Sequence, residues 1–291
     1  MNKYFPKKEV KDLDDLFKDR RKKIKDKFNR LKYVELRLLK IFDHICNKYK
    51  IDYSLAFGTL IGAIRHKGFI PWDDDIDVIM TLENYNLFLK HINELPSSVF
   101  FQTNKNDKIE MGPPFLAKLR DNYSKVEFGK EYHSGAYMDI FLLDRISSNK
   151  FISFFQKIFL ILRKFFLTLE KKEDIFKDRI HFLKGLGRTI LFLPKVILKK
   201  LNFSSHLEIF YSNFFKEKPK DNYYLHMFWF KMVIMKKEDI FPFKKILFEK
   251  KLFPIFKNPN PILEYFYGDY LKLPPKEKRI PDHLDLEKIQ I

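Results

Sequence analysis

The stretch FGTLIGAIRHKGFIPWDDDIDVIM, Phe57 to Met80, decides the architecture. Asp52 to Phe57 reads as a short strand leading into it. Gly58-Thr59 then turns the chain into the apolar run Leu60 to Ile64, so the segment is strand, turn and helix in succession. A polar loop from Arg65 to Asp74 follows, and Asp75-Ile76-Asp77-Val78-Ile79-Met80 alternates as a strand does. With Asp75 opening that strand, Asp75 and Asp77 project from one face while Ile76 and Val78 pack on the other, because strand side chains have period two. The carboxylates of Asp73, Asp74, Asp75 and Asp77 repel one another unless a cation lies among them. Hard oxygen donors of this kind suit Mg²⁺ or Mn²⁺ better than zinc or copper.

Outward from this stretch, the spacing of Leu31, Val34, Leu38, Ile41, Phe42, Ile45 and Tyr49 predicts one helix with a single apolar stripe, and Cys46 beside it reads as an inert core thiol. Asn84 to Leu95 reads as helix, and Val99 to Thr103, Phe115 to Arg120 and Tyr137 to Leu142 read as short strands. Residues 51–145 therefore read as a mixed α/β sheet. Within Tyr137-Met138-Asp139-Ile140-Phe141, Asp139 is a lone charge between apolar neighbours and needs a partner. A metal held by Asp75 and Asp77 on an adjacent strand would supply one. At Gly58-Thr59 a backbone without a Cβ, opening a helix, can approach phosphate. Arg65, His66 and Lys67 are cations suited to gripping phosphates near that metal.

The 291 residues permit one large domain or two modest ones, and the 45% apolar and 32% charged fractions exclude a disordered polymer and an integral membrane protein. The single cysteine excludes an intramolecular disulfide and multi-thiolate zinc sites, and no apolar leader follows the start, so a reducing, cytoplasmic setting is expected. The net charge of +18 is uneven: residues 1–50 carry +9, residues 51–145 carry −4 and residues 146–291 carry +13. The expected division is a charged, solvated N-terminal helix or arm over 1–30, a catalytic core over 31–145, and a mainly helical basic region over 146–291. After Asp144, the runs Phe151 to Leu169 and Ile180 to Phe203 are apolar and basic with no strand signals, and the charges in the first do not suit a membrane span. Those helices either cover the sheet or lie peripherally on an anionic membrane surface.

The run Phe57 to Asp77 resembles the signature of the LicD family, which includes bacterial phosphocholine transferases and relatives of fukutin. Lys118-Leu119-Arg120-Asp121, Met138 to Asp144 and Tyr267-Gly268-Asp269-Tyr270-Leu271-Lys272-Leu273-Pro274-Pro275 are each similar to a family block in the same order. The resemblance spans roughly residues 35–283 and thins between 145 and 240. It implies an α/β (α+β) fold: a nucleotidyltransferase-like mixed sheet core with flanking and C-terminal helices. It also implies transfer of a phospho-substituent, phosphocholine first, from CDP-choline or a related CDP-alcohol to a hydroxyl of a surface glycan or lipid-linked glycan (lipopolysaccharide, teichoic acid or capsule), releasing CMP. On that pattern Asp75, Asp77 and Asp139 are the catalytic metal ligands for Mg²⁺ or Mn²⁺, and Gly58, Thr59, Arg65, Lys67 and Lys118 hold donor phosphates. Asp139 is a candidate base for the acceptor hydroxyl. Asp73, Asp74 and His283 are supporting residues. Thr59 stands where many members of the superfamily have Ser, and the cysteines of a fukutin-type zinc loop are missing. Two alternatives remain: a nucleotidyltransferase or other CDP-alditol or phosphosugar transferase on the same scaffold, and a non-catalytic basic module that binds anionic lipid or nucleic acid through the basic flanks, nucleic acid being the less expected partner.

Overall fold

The computed structural model describes residues 11–103, 106–107, 117–126, 132–171, 222–226, 232–281 and 287–291. Helix α1 (Lys11–Leu16) and a 3-10 turn (Arg21–Lys23) precede the long helix α2 (Lys27–Tyr49). Asp26 caps α2, its carboxylate accepting from the Asn29 N–H at 2.7 Å, and Lys50 ends it in the left-handed conformation. The expected stripe is the buried one: Leu31, Val34, Leu38, Ile41, Phe42 and Ile45 lie against the sheet, with the Phe42 ring edge-on to Tyr53 at 4.9 Å. Cys46 is buried and its thiol is pushed up by that burial, as an unreactive core group should be.

Strand β1 (Ser54–Leu55) is followed by helix α3 (Phe57–His66) and strand β2 (Ile76–Thr81). Helix α4 (Leu82–Leu89) starts on the Thr81 hydroxyl, which accepts from the Asn84 N–H, and leads to β3 (Val99–Thr103), β4 (Ala117–Asp121) and β5 (Tyr137–Ile146). The sheet order is β1-β2-β5-β4-β3. Strands β2 and β5 run parallel; β1 on β2, β4 on β5 and β3 on β4 are antiparallel. The central pair thus comes from the two segments that carry the acidic motifs.

The chain forms two compact units: residues 1–144, 224–226 and 233–291, and residues 145–223 with 227–232. The described residues add detail to the expected division at two places. Residues 1–30 are not a solvated arm along their described length: Leu13 is buried, and the Arg21 guanidinium donates from Nη1 (2.8 Å) and Nη2 (2.5 Å) to the two oxygens of the fully buried Asp121. A fork-to-fork pair a hundred residues apart ties the arm to the sheet. Arg37 on α2 likewise pairs with Asp14.

After 146 the described residues hold strands as well as helices. Helix α5 (Lys150–Lys171) fits the first expected run, while the run Ile180 to Phe203 lies outside the described residues. Beyond it come strands β6 (Asn222–His226) and β7 (Met232–Lys236), β6 joining the large sheet on β5, then a turn of helix α6 (Lys237–Ile240). A hairpin of β8 (Lys244–Phe248) and β9 (Lys251–Ile255) and helix α7 (Asn260–Tyr267) complete the order. The hairpin escaped the sequence reading because its two-residue turn, Glu249-Lys250, takes positive φ at both positions (45° and 64°) without the Asn or Gly that normally signals such a turn, and its strands are Lys-rich with a Pro in β9.

Candidate functional site

The register of the central strands builds the acidic row. Asp77 of β2 stands opposite Asp139 of β5, and Asp139 stands opposite Lys118 of β4, so three charged side chains lie in line across neighbouring strands, which are about 4.8 Å apart. Asp75 sits two residues before Asp77, just ahead of β2. Asp75, Asp77, Asp139 and Lys118 are each less than a tenth exposed, and Asp74 is buried as well. Burial pushes the Asp77 carboxyl well above its ordinary range, and the charges of Asp75, Asp139 and Asp73 push it further, with Lys118 opposing. Lys118 Nζ lies 2.5 Å from Asp139 Oδ1 and 3.6 Å from the Tyr137 ring centroid. That carboxylate oxygen is buried, and the ammonium is its ion-pair partner.

The remaining predicted residues separate into those near this row and those elsewhere. Thr59, in the first turn of α3, is wholly buried, and its hydroxyl oxygen accepts from the Asp77 N–H at 2.9 Å. Its visible work is to hold β2 where Asp77 projects. Gly58 lies against Asp73: a Cβ there would meet both carboxylate oxygens at 3.0 Å, so the absence of a side chain serves a close approach at the helix start. Asp73 and Asp74 flank the row on the same loop. Arg65 and Lys67 lie at the other end of α3, about 10 Å and about 13 Å along the axis from Gly58 at 1.5 Å per residue. Arg65 Nη1 donates to the carbonyls of Tyr270 (3.1 Å) and Lys272 (3.2 Å). Lys67 caps α3 in the left-handed conformation, is exposed, and accepts at its carbonyl from the Glu249 N–H. In this structure Arg65 is a clamp on the C-terminal block and Lys67 is a turn residue. His283 lies outside the described residues.

Three side chains that the sequence reading passed over lie around the loop and the row. Glu35 of α2 is 1% exposed, and its Oε2 makes no hydrogen bond. Burial, followed by the charges of Asp75, Asp74 and Asp73, drives its carboxyl well above the ordinary range against the opposing Lys32. The signal was present: 35 follows 31 and precedes 38 and 42 on the apolar stripe, where a carboxylate is out of place. Lys32 Nζ donates to the carbonyls of Ile70 (3.1 Å) and Pro71 (2.9 Å). Glu249, at the hairpin turn, accepts from the Phe69 N–H at 3.2 Å.

The donor set of this row is carboxylate oxygen, which suits a hard divalent cation, and the like charges of Asp75, Asp139 and Asp73 that push the Asp77 carboxyl upward are the kind of crowding a bound cation relieves. As the side chains stand, no three His, Cys, Asp or Glu among the described residues already enclose an ion, and Asp139 is engaged by Lys118.

Residues 50–159 match the nucleotidyltransferase domain of the LicD/FKTN/FKRP family, in keeping with the mixed sheet flanked by helices. The lipopolysaccharide cholinephosphotransferase LicD of Haemophilus influenzae is 32% identical over 272 residues, covering 86% of this chain and 94% of that protein. Shorter matches of 42 residues, 45% identical, link the chain to uncharacterized proteins of Rickettsia prowazekii and Rickettsia typhi, covering 14% of this chain and 16% and 14% of theirs. A relative aligned over nearly its whole length, on a fold whose central strands bring the two acidic motifs into register, means that the chain belongs to the LicD family.

Proposed function

We propose that the protein transfers phosphocholine from CDP-choline to a hydroxyl of a lipopolysaccharide-type glycan and releases CMP. The observation that carries this reading is the in-register row of Asp77, Asp139 and Lys118 beside Asp75, in a chain that spans 94% of a relative named as a lipopolysaccharide cholinephosphotransferase. In the reaction the acceptor oxygen forms a bond to the phosphorus of the choline phosphate, the bond from that phosphorus to the bridging oxygen breaks, and CMP leaves with the electron pair. Asp75, Asp77 and Asp139 would hold Mg²⁺ or Mn²⁺, which when bound neutralises charge on the diphosphate and the departing CMP.

The chain's own groups supply the rest. Asp139 takes the proton of the acceptor hydroxyl, which requires that oxygen within about 2.6–3.2 Å of the carboxylate. Lys118, fixed against Asp139 and the Tyr137 ring, presents positive charge to the diphosphate. Thr59 holds the Asp77 backbone, and Gly58 leaves room at the start of α3. The acceptor is read as a lipid-borne glycan, worked on at an anionic leaflet from the cytoplasmic side.

The test is product analysis with purified full-length protein, choline-labelled CDP-choline, Mg²⁺ and a lipopolysaccharide acceptor. Labelled glycan with stoichiometric CMP supports the reading, and Asp75→Asn and Asp77→Asn should each remove it. Pyrophosphate release from a nucleoside triphosphate, with the nucleotide retained on the acceptor, would replace this function by nucleotidyl transfer. A thermal-shift series with CDP-choline, CDP-ethanolamine, CDP-ribitol, CDP-glycerol and GDP-mannose separates the donors, since the preferred one gives the largest stabilisation.

A further inference from the structure

The first turns of helix α5, where its side chains are described, are amphipathic in the wrong sense for a helix that covers a core. Among its described side chains the buried ones are polar: Ser153 is 8% exposed and Gln156 is 0% exposed, and Gln156 Oε1 accepts from the Ser147 N–H at 2.8 Å. Its exposed residues are large and apolar: Phe151 (72%), Phe154 (57%), Phe155 (46%), Ile158 and Leu162. Positions 151, 155, 158 and 162 are separated by four, three and four residues, so with Phe154 they form one continuous face about 16 Å long. A soluble surface rarely presents so many large apolar side chains together without a partner.

The sequence of the helix states what that partner's charge must be. Lysine recurs at 150, 157, 164 and 171, every seventh position from the first residue of α5 to its last. Seven residues advance a helix by nearly two whole turns, so these positions drift only about 20° per step and follow the apolar face along one side. A second copy of the chain would bring the same lysine row and the same excess of positive charge against it. Phospholipid headgroups bring phosphate. The helix is no membrane span, since among the described residues no helix is long and apolar enough to cross a bilayer. An apolar face flanked by lysine is instead the pattern of a helix that lies in the interface plane.

We propose that the Phe151-Phe155-Ile158-Leu162 face of α5 docks on an anionic phospholipid surface, with its lysine row against the headgroups. The inference deepens the proposed function, resting on the reading that the acceptor glycan is lipid-borne, and it identifies the element that would bring the enzyme to that acceptor.

The experiment is co-sedimentation of the full-length protein with vesicles of phosphatidylglycerol and phosphatidylethanolamine, and with vesicles of phosphatidylcholine alone, without donor or acceptor. The parent should bind the anionic vesicles and release them in high salt. Phe151→Ser with Phe155→Ser should lower the partition coefficient by about tenfold or more, as the loss of buried phenyl surface requires. Lys150→Glu with Lys157→Glu should weaken binding to anionic vesicles and leave binding to phosphatidylcholine unchanged. The proposal is overturned if the parent ignores anionic vesicles or if the Phe variant binds as well as the parent. It is equally overturned if light scattering shows a dimer that the Phe variant dissolves, or if that variant melts several degrees lower, which would mean that the chain itself covers the face. Vesicle binding is read without turnover, so a failure of the transferase reading leaves this result standing, and the converse also holds.

Discussion

Replacing Thr59 by Val tests whether the motif hydroxyl serves the strand or the ligand. The substitution keeps the side-chain shape and removes one oxygen, the acceptor of the Asp77 N–H at 2.9 Å in a wholly buried position. That N–H then has no partner and no water, a cost of about 1–3 kcal/mol. At about 2–4 °C per kcal/mol for a domain of this size, the melting temperature should fall by about 2–12 °C. Thr59→Ser keeps the oxygen and loses one buried methyl, about 0.8 kcal/mol, so it should lie between the parent and Thr59→Val. Scanning fluorimetry on the metal-free protein reads the stability, and the transfer assay reads the donor KM. If Thr59→Val melts with the parent and only raises the donor KM, the hydroxyl belongs to the phosphate site, and the positioning role argued from the structure is wrong.

Asp77 and Glu35 both have folded-state carboxyls raised by burial and by neighbouring aspartates, so in metal-free protein their native, protonated forms are favoured. The stability they allow is fully present below the ordinary carboxylate range and is lost as pH rises through their raised values. Urea midpoints from pH 4 to 8 should therefore decline in the parent and decline less in Asp77→Asn and Glu35→Gln; parallel curves would contradict the assignment. Gly62→Ala would place a Cβ 2.5 Å from the Gly68 carbonyl oxygen and 3.1 Å from the Ile70 N, both backbone atoms of the motif loop. Overpacking of about 1–3 kcal/mol outweighs a helix gain of at most about 1 kcal/mol, so the urea midpoint should drop, whereas an increase would show that the loop yields.

Period and chemistry made the centre of the molecule readable from its residues. The α2 stripe, β3 at Val99–Thr103, and the strands bearing Asp77 and Asp139 all follow from apolar spacing, and the isolated Asp139 asked for a partner that β2 places opposite it. What stayed hidden depended on contacts between distant residues. Arg65 and Lys67 read as phosphate ligands because they are cations beside carboxylates in the chain; the hydrogen bonds of Arg65 to the Tyr270 and Lys272 carbonyls, some two hundred residues on, have no local signal. The Arg21 to Asp121 pair could not be read from a charge-dense arm, since nothing local marks which of its basic residues is buried. The β8-β9 hairpin lacks the turn residues that announce a hairpin, so its strands resembled the basic runs around them.

The C-terminal block has a physical reason to accompany the motif loop although some two hundred residues separate them. Arg65 holds the Tyr270 and Lys272 carbonyls from one end of α3, and the Arg279 guanidinium lies 5.6 Å from the Trp72 ring centroid. The Glu249 N–H donates to Lys67 O, and its carboxylate accepts from Phe69 N–H, while Lys32 holds Ile70 and Pro71 from the other side. The loop from Lys67 to Asp74 has no hydrogen-bonded ladder of its own and must place a run of mutually repelling carboxylates at the start of β2. Clamps from α2, from the hairpin and from the C-terminal block supply what the loop cannot supply for itself. The acidic row is therefore a property of the whole first unit, residues 233–291 included, and not of the segment around the aspartates alone.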